Sequence, residues 1–341
     1  MGISEIVTAL LFEGDEQIVL VEKTLGEPGQ GQIVLDIRAS GVCGSDLHNY
    51  HLSAEQSHGE DAVRSAAITP GHEIAGVVEK VGPGVDGLSV GDRVAVYHYS
   101  GCGHCVWCRK GLDNHCLNKT VYSFTRDGGF QDKLVVNARD CVGIPDGMSY
   151  TAAAFMACGG ATAFQAIRRV DVPPGGHVIV VGLGPVGLVT MLWLQAYGIR
   201  AAGVDPDSDR RDFASSLGLV DIRADARDSL GRFDSAIDAS GNANGRASAV
   251  RAVRPWGTVV LVGLGQGINL EVNEDLIYSQ VTMRGSHVFG MPTMMEAYRE
   301  AGRLKLQLDA VLTVRCDLPS APEAIHSFAK GGVGKTVVVW P

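Results

Sequence analysis

The sequence predicts an α/β protein of two domains, one strand-rich and barrel-like, the other a doubly wound parallel sheet. Three observations carry this. The first half of the 341-residue chain runs or alternates apolar in short stretches between glycine and proline breaks, without a long helical period before Ser149. From His177 onward the rhythm becomes strand, helix, strand, helix. At the first strand-to-helix passage stands GLGPVG, residues 182–187. A chain of this length accommodates two domains, each with its own core.

The elements follow in order. GQIVLDIRAS (31–40), EIAGVVEKVG (73–82), DRVAVYHY (92–99) and DKLVVNA (132–138) read as strands. SYTAAAFMACGGATAFQAIRRV (149–170) is the first helical stretch. HVIVVGLG then leads into the helical PVGLVTMLWLQAYG, AAGVD into DSDRRDFASSLG, and FDSAIDAS into a helix over 243–253. GTVVLVGLG and VTMRGSHVFG continue the series. Such alternation builds a parallel sheet with helices on both faces. After Met291 the pattern breaks into a helix (PTMMEAYREAGRLK), a strand, a short helix and the closing strand KTVVVW, which are expected to return to the first domain. The predicted partition is 1–158 with 289–341 for the first domain and 159–288 for the second.

Composition excludes several classes. A net charge of -9 argues against a nucleic-acid surface, which needs a basic face. There is no uninterrupted apolar run of membrane-spanning length, and MGISEIVTALLFEGDEQ lacks the basic start of an export signal. Eight cysteines without such a signal point to a reducing compartment, the cytoplasm by default.

Cys102, Cys105, Cys108 and Cys116 lie in GCGHCVWCRKGLDNHC. Four thiolates close a tetrahedral sphere and leave no position for substrate, so zinc is expected here in a structural role. The spacing is neither of the common ferredoxin runs, and disulfides belong to small secreted domains.

Gly182, Gly184 and Gly187 follow an apolar strand and open a helix, and Asp205 ends the next strand. The glycines permit the turn, the approach of a pyrophosphate and close helix–strand packing, while the helix N-terminus favours the anion. Asp205 suits both ribose hydroxyls of NAD and repels the 2′-phosphate of NADP. Arg210 is read as bracing the adenosine ribose. GGVGKT (331–336) is not a phosphate loop, because the position five before Gly334 is Ala329 and a strand follows it. Cys43, His72 and Cys158 are metal-capable and scattered. Two thiols and an imidazole leave a fourth zinc position open, but spacing alone does not separate them from packed core residues.

GVCGSDLH, GHE before GxVxxVG, GDRV, the four-cysteine stretch, CGGATAFQAI and GLGPVG occur here in one order. From about Val34 to the C-terminus this order resembles the zinc-dependent medium-chain alcohol dehydrogenases. The resemblance implies a GroES-like catalytic domain, carrying the cysteine lobe at 98–118, joined to a Rossmann domain. It implies reversible oxidation of an alcohol to an aldehyde or ketone by hydride transfer to NAD+, with two zinc ions per chain. By motif position Cys43, His72 and Cys158 resemble the catalytic zinc ligands. Polyol-type relatives place a glutamate at the third position, whereas ACGGAT is closer to the CAGxT form. Asp46 resembles the carboxylate that orients the zinc-ligating imidazole. Glu73, expected on a strand to point away from what His72 faces, takes a supporting or transiently ligating role in the family. Ser45 and His48 match the family's proton relay of hydroxyl, cofactor ribose, imidazole and solvent. Leu183, Pro185 and Val186 complete the cofactor loop, and Thr162 is placed at the cofactor.

The polar stretch LSAEQSHGEDAVRSAAIT (52–69) is expected either to edge the substrate entrance or to be an exposed loop, with His58 solvated. His98 and Tyr99 reach the cleft by family position. Cys141 and Cys316 read as core residues. Competing readings are a zinc-free quinone or enone reductase of the same fold and a non-catalytic protein that keeps the fold. Relatives of this length imply a homo-oligomer, a tetramer before a dimer, with GTVVLVGLG and the segment after it at the interface.

Overall fold

The computed structural model of the chain describes residues 5–58 and 67–341. Residues 59–66 and the His58 side chain, part of the polar stretch 52–69 singled out above, lie outside the described residues. The chain opens with the hairpin β1 (Glu5–Gly14) and β2 (Gln17–Leu25), followed by β3 (Gln32–Gly41), α1 (Gly44–Tyr50) and α2 (Ala54–His58). Then come β4 (Glu73–Val81), β5 (Arg93–Val96), β6 (Tyr99–Ser100), α3 (Val106–Arg109) and β7 (Thr120–Val121). β8 (Lys133–Asn137), β9 (Cys141–Gly143) and α4 (Tyr150–Phe155) lead to a π-helical turn, Met156–Gly160.

The second half runs α5 (Ala161–Ile167), β10 (His177–Val181), α6 (Pro185–Ala196), β11 (Arg200–Val204), α7 (Ser208–Ser216) and β12 (Ile222–Arg223). It continues with β13 (Phe233–Asp238), α8 (Ala243–Ala252), β14 (Val253–Leu261) and β15 (Thr282–Gly285). α9 (Met291–Leu304), β16 (Leu312–Cys316), α10 (Ala321–Ala329) and β17 (Lys335–Val339) close the chain.

Two compact units result. One comprises the chain as far as Cys158 with Gly290–Gly302 and Leu312–Pro341; the other comprises Gly159–Phe289 with Arg303–Val311. The sequence-based partition placed Phe289 and 303–311 in the first unit. Leu308–Val311 is instead a 3-10 turn that packs on α6, so the chain visits the second unit once more before its closing strands.

In the first unit the strands order as β16-β17-β3-β4-β5-β9, with β8 also paired to β3. β17 meets β3 antiparallel, Val337 opposite Gly41, which brings the closing strand beside the loop after β3. Ile33, Leu35, Ile37, Ile74, Val78, Val94 and Val96 interdigitate in one core, while Leu10, Phe12, Tyr50, Phe130 and Val338 make another. The two free thiols read as core residues pack at these edges: Cys141 against the first cluster and Cys316 against the second.

The second unit is a parallel sheet ordered β12-β11-β10-β13-β14-β15. β10 pairs β11 on one side and β13 on the other, so the chain reverses direction of growth there. That switch point is where open α/β sheets take ligands, at the carboxyl ends of the strands.

Candidate functional site

Cys43, His72, Glu73 and Cys158 converge within the first unit, their ligand atoms all within 4.8 Å of one another. Different devices position each. Cys43 is the N-cap of α1, and Asp46, three residues on, closes a capping box by accepting the Cys43 N–H through Oδ2 at 2.9 Å. The other oxygen, Oδ1, accepts from His72 Nδ1 at 3.1 Å and from Ser123 Oγ at 3.2 Å. That fixes the imidazole with Nε2 turned toward the cluster, where Ser45 Oγ lies 3.3 Å away. Cys158 sits in the π-helical turn, a feature that re-aims side chains inside a helix and recurs at functional sites.

Glu73 departs from the expected orientation. His72 precedes β4 and Glu73 opens it, so strand alternation does not separate the two side chains. Glu73 stands opposite Gly41 across the β3–β4 ladder, and a Cβ on residue 41 would overlap the carboxylate oxygen Oε2. The glycine therefore gives the acid its space. Its Oε1 accepts from Lys335 Nζ at 2.7 Å; the same ammonium donates to Val42 O at 2.6 Å and lies 5.2 Å from the centre of the Phe155 ring. Lys335 is 1% exposed. Sequence reading took GGVGKT as a turn and passed over this residue. The available signal was a lysine opening a short strand, KTVVV, that ends in three valines.

The electrostatics are those of a crowded, dry site. The hydrogen bond from Cys158 holds the Cys43 thiol well below its ordinary value, aided by the charges of His72 and Lys335. The same bond, with burial, pushes Cys158 well above its own. Burial alone would lower His72, but Asp46 and the Cys43 thiolate outweigh it and raise it. Burial pushes Glu73 up to about 8 against the pull of Lys335. Two thiols, one with its pKa pulled down by its surroundings, an imidazole oriented by a carboxylate and a second carboxylate at hand form a donor set that fits one zinc ion.

Ser45 and His48 lie three apart on α1 and so share a face. Ser45 adjoins the cluster and His48 is exposed. The His98 ring packs 5.1 Å from His72, centre to centre, and Phe124 at 5.7 Å. Tyr99 packs at a tilt against His98, and burial pushes its hydroxyl up to about 12.

Cys102, Cys105, Cys108 and Cys116 form a second convergent group, again within 4.8 Å. Cys105 caps α3 by accepting from Cys108 N, and Asp113 ties the lobe to the sheet by accepting from Gly101 N and Arg139 Nη2. The Cys105–Cys108 sulfurs are 3.5 Å apart and the Cys102–Cys108 sulfurs 4.0 Å, beyond the ~2.05 Å of a disulfide. Backbone N–H groups of His104 and Cys105 hold the Cys102 thiol down at about 6, while burial pushes Cys108 up to about 12. These four thiols fit a closed zinc site.

In the second unit, GLGPVG joins β10 to α6. Gly182 takes φ +95°, Gly184 is the helix N-cap and Pro185 begins the first turn. A Cβ on Gly187 would overlap the Gly182 carbonyl oxygen. Leu183 is buried, and Val186 O accepts from Thr190 Oγ1 inside α6. Asp205 follows β11; its Oδ2 accepts from Leu183 N at 2.8 Å and its Oδ1 from Asp207 N at 3.0 Å. Arg210 Nη1 stands 3.8 Å from Asp205 Oδ2. Thr162 is buried in α5.

Residues 29–146 match the alcohol dehydrogenase GroES-like domain, and residues 185–304 match the zinc-binding dehydrogenase domain. An uncharacterized zinc-type alcohol dehydrogenase-like protein, YphC of Escherichia coli K12, is 34% identical over 98% of both chains. An alcohol dehydrogenase of Geobacillus stearothermophilus is 31% identical over 96% of this chain and 97% of its own. A structure from Sinorhizobium meliloti 1021, described as a zinc-binding dehydrogenase bound to NADP, shares the fold with a TM-score of 0.87 at 23% identity, covering 98% of this chain and all of its own. By sequence and by fold, the chain belongs to the zinc-containing medium-chain dehydrogenase/reductase family.

Proposed function

We propose that the protein oxidises a small alcohol, primary, secondary or polyol, to the aldehyde or ketone, reversibly, by hydride transfer to NAD+. The observation that carries this reading is the convergence of Cys43, His72 and Cys158 beside the Ser45 hydroxyl. These three residues would hold zinc, with Glu73 within reach as an exchangeable fourth group. Bound there, zinc supplies a Lewis acid that makes an alcohol hydroxyl acidic near neutral pH, and NAD+ supplies the hydride acceptor. The chain's own residues do the rest. Asp46 holds the His72 tautomer that presents Nε2. Ser45 would accept the alcohol proton on Oγ while passing its own hydroxyl proton on through the cofactor ribose to His48, which delivers a proton to solvent. The four cysteines of the lobe would hold a second zinc with no chemical role.

Gly182, Leu183, Gly184, Pro185, Val186 and Gly187 would cradle the pyrophosphate at the α6 N-terminus, with Thr162 along the cofactor. Asp205 favours NAD over NADP because its carboxylate would face the 2′-phosphate, and Arg210, lying beside that carboxylate, is in position to brace the ribose. Free thiols at all eight cysteines support a cytoplasmic location. A homo-oligomer, a tetramer before a dimer, is supported by the exposed Trp256, Ile277 and Tyr278 near the open edge of β15. No nucleic-acid or membrane partner is proposed; among the described residues no helix is long and apolar enough to cross a membrane.

The test is zinc content with a screen of primary alcohols, secondary alcohols, diols and polyols against NAD+ and NADP+. Two zinc per chain and NAD+ reduction are expected, and Cys158→Ser should lose one of the two ions together with NAD+ reduction. One zinc per chain, or none, sinks the catalytic-zinc reading, and preference for NADP+ sinks the reading of Asp205.

A further inference from the structure

Ser123 occupies a place its residue type does not favour. It has φ +77°, in the left-handed region that penalises any residue with a Cβ, and it is fully buried. Its backbone N–H bonds to Arg126 O at 2.8 Å, closing a tight turn after β7 that glycine would make without strain. What serine adds to that turn is a hydroxyl, and the hydroxyl donates to Asp46 Oδ1 at 3.2 Å.

Asp46 is also fully buried and takes donors on both oxygens: Cys43 N on Oδ2, and His72 Nδ1 together with Ser123 Oγ on Oδ1. One carboxylate thus braces two of the groups that converge at the site, and among the described residues Ser123 is the one donor to it outside those two. Without the hydroxyl, Oδ1 keeps a single donor in a dry interior, and both the carboxylate and the imidazole gain freedom to turn. We infer that Ser123 is a positioning residue for the catalytic metal, retained in a strained conformation because its hydroxyl locks Asp46 and, through it, His72 and Cys43.

This rests on the zinc reading of Cys43, His72 and Cys158, so the experiment begins with the zinc content of the unaltered protein; fewer than two ions per chain defeats that reading, and with it this one, before any variant is made. With two ions present, Ser123→Ala and Ser123→Gly are compared with wild type by zinc release to an excess of a chromophoric chelator and by thermal unfolding of the zinc-free proteins. Loss of a group that orients a metal ligand commonly costs 10–100-fold in metal affinity. Both variants are expected to release one of the two ions about tenfold or more faster and the other, held by the cysteine lobe, at the wild-type rate. Ser123→Gly, relieved of the left-handed strain, should unfold zinc-free at or above the wild-type temperature, showing that the loss does not come from a damaged turn. Release of both ions at the wild-type rate by either variant, or faster release of both together, overturns the inference.

Discussion

Replacing Lys335 by methionine isolates the buried pair behind the metal-capable cluster. Nζ and Glu73 Oε1 are 2.7 Å apart, and both side chains are essentially sealed from solvent. At an effective dielectric of about 20, unit charges at that distance attract by about 6 kcal/mol. The variant does not lose all of that, because the orphaned carboxyl can take up a proton instead of staying charged. It does lose the bond to Val42 O, leaving a buried carbonyl to be satisfied elsewhere. Removing one partner of a buried pair costs about 3–5 kcal/mol, whereas removing both charges together is close to neutral. Lys335→Met should therefore lower the stability of the zinc-free protein by about 3–5 kcal/mol, and the double variant Glu73→Gln/Lys335→Met should recover at least half. The assay is urea unfolding at pH 9, above the value near 8 at which Glu73 ionises, with the denaturant slopes compared so that a changed slope is not read as a changed stability. A single-variant loss below about 1 kcal/mol, or a double variant no better than the single, refutes the claim that the ammonium is there to balance the acid.

The same acid makes a pH prediction. The Glu73 carboxyl sits near 8 in the fold against 4.5 when unfolded, so between those values the folded chain holds a proton that the unfolded chain has released. Zinc-free wild type should lose stability relative to Glu73→Gln as pH rises from about 4.5 to about 8; urea series at pH 5, 6.5 and 8 that run parallel would contradict this. Gly187→Ala drives a methyl into the Gly182 carbonyl oxygen and should abolish dinucleotide binding by calorimetry while the four-cysteine lobe keeps its zinc. Cys105→Ser should remove one zinc and lower the melting temperature without touching the ion at Cys43, His72 and Cys158, checked by metal analysis. His48→Gln should slow alcohol oxidation most at low pH, with added imidazole restoring the rate; an unaltered pH profile would remove His48 from the proton path.

The second unit was legible because its periodicity switches at His177 and its glycines fall where β10 must pass into α6. Its sheet order then follows from right-handed crossovers. The opening hairpin was not legible. Its turn places Asp15 and Glu16 at positive φ, a conformation that a sequence normally announces with Asn-Gly or Asp-Gly. The π-helical turn at Met156–Gly160 was hidden for a related reason, since an extra residue within a helical stretch leaves the composition unchanged. Cysteine spacing pointed to the lobe because its four thiols lie within one loop. The other cluster draws on residues from α1, the start of β4, the π-helical turn and β17, and only the fold brings those together. Glu73 and Ser123 show the limit most plainly. One was aimed away by a strand rule that does not reach across the first residue of β4, and the other sits in a turn whose sequence, YSFT, carries no mark of its contact with Asp46.

Asp46 has one consequence for the local stability of the candidate site. Its carboxylate is both the capping-box acceptor of α1 and the orienting partner of His72. α1 spans seven residues, too few to hold a helix unaided. Helix order and imidazole orientation are therefore coupled: fraying of the first turn of α1 would release the His72 ring as well. Because Ser45 and His48 ride on that same helix, the order of the proposed proton path is tied to the order of the proposed metal site.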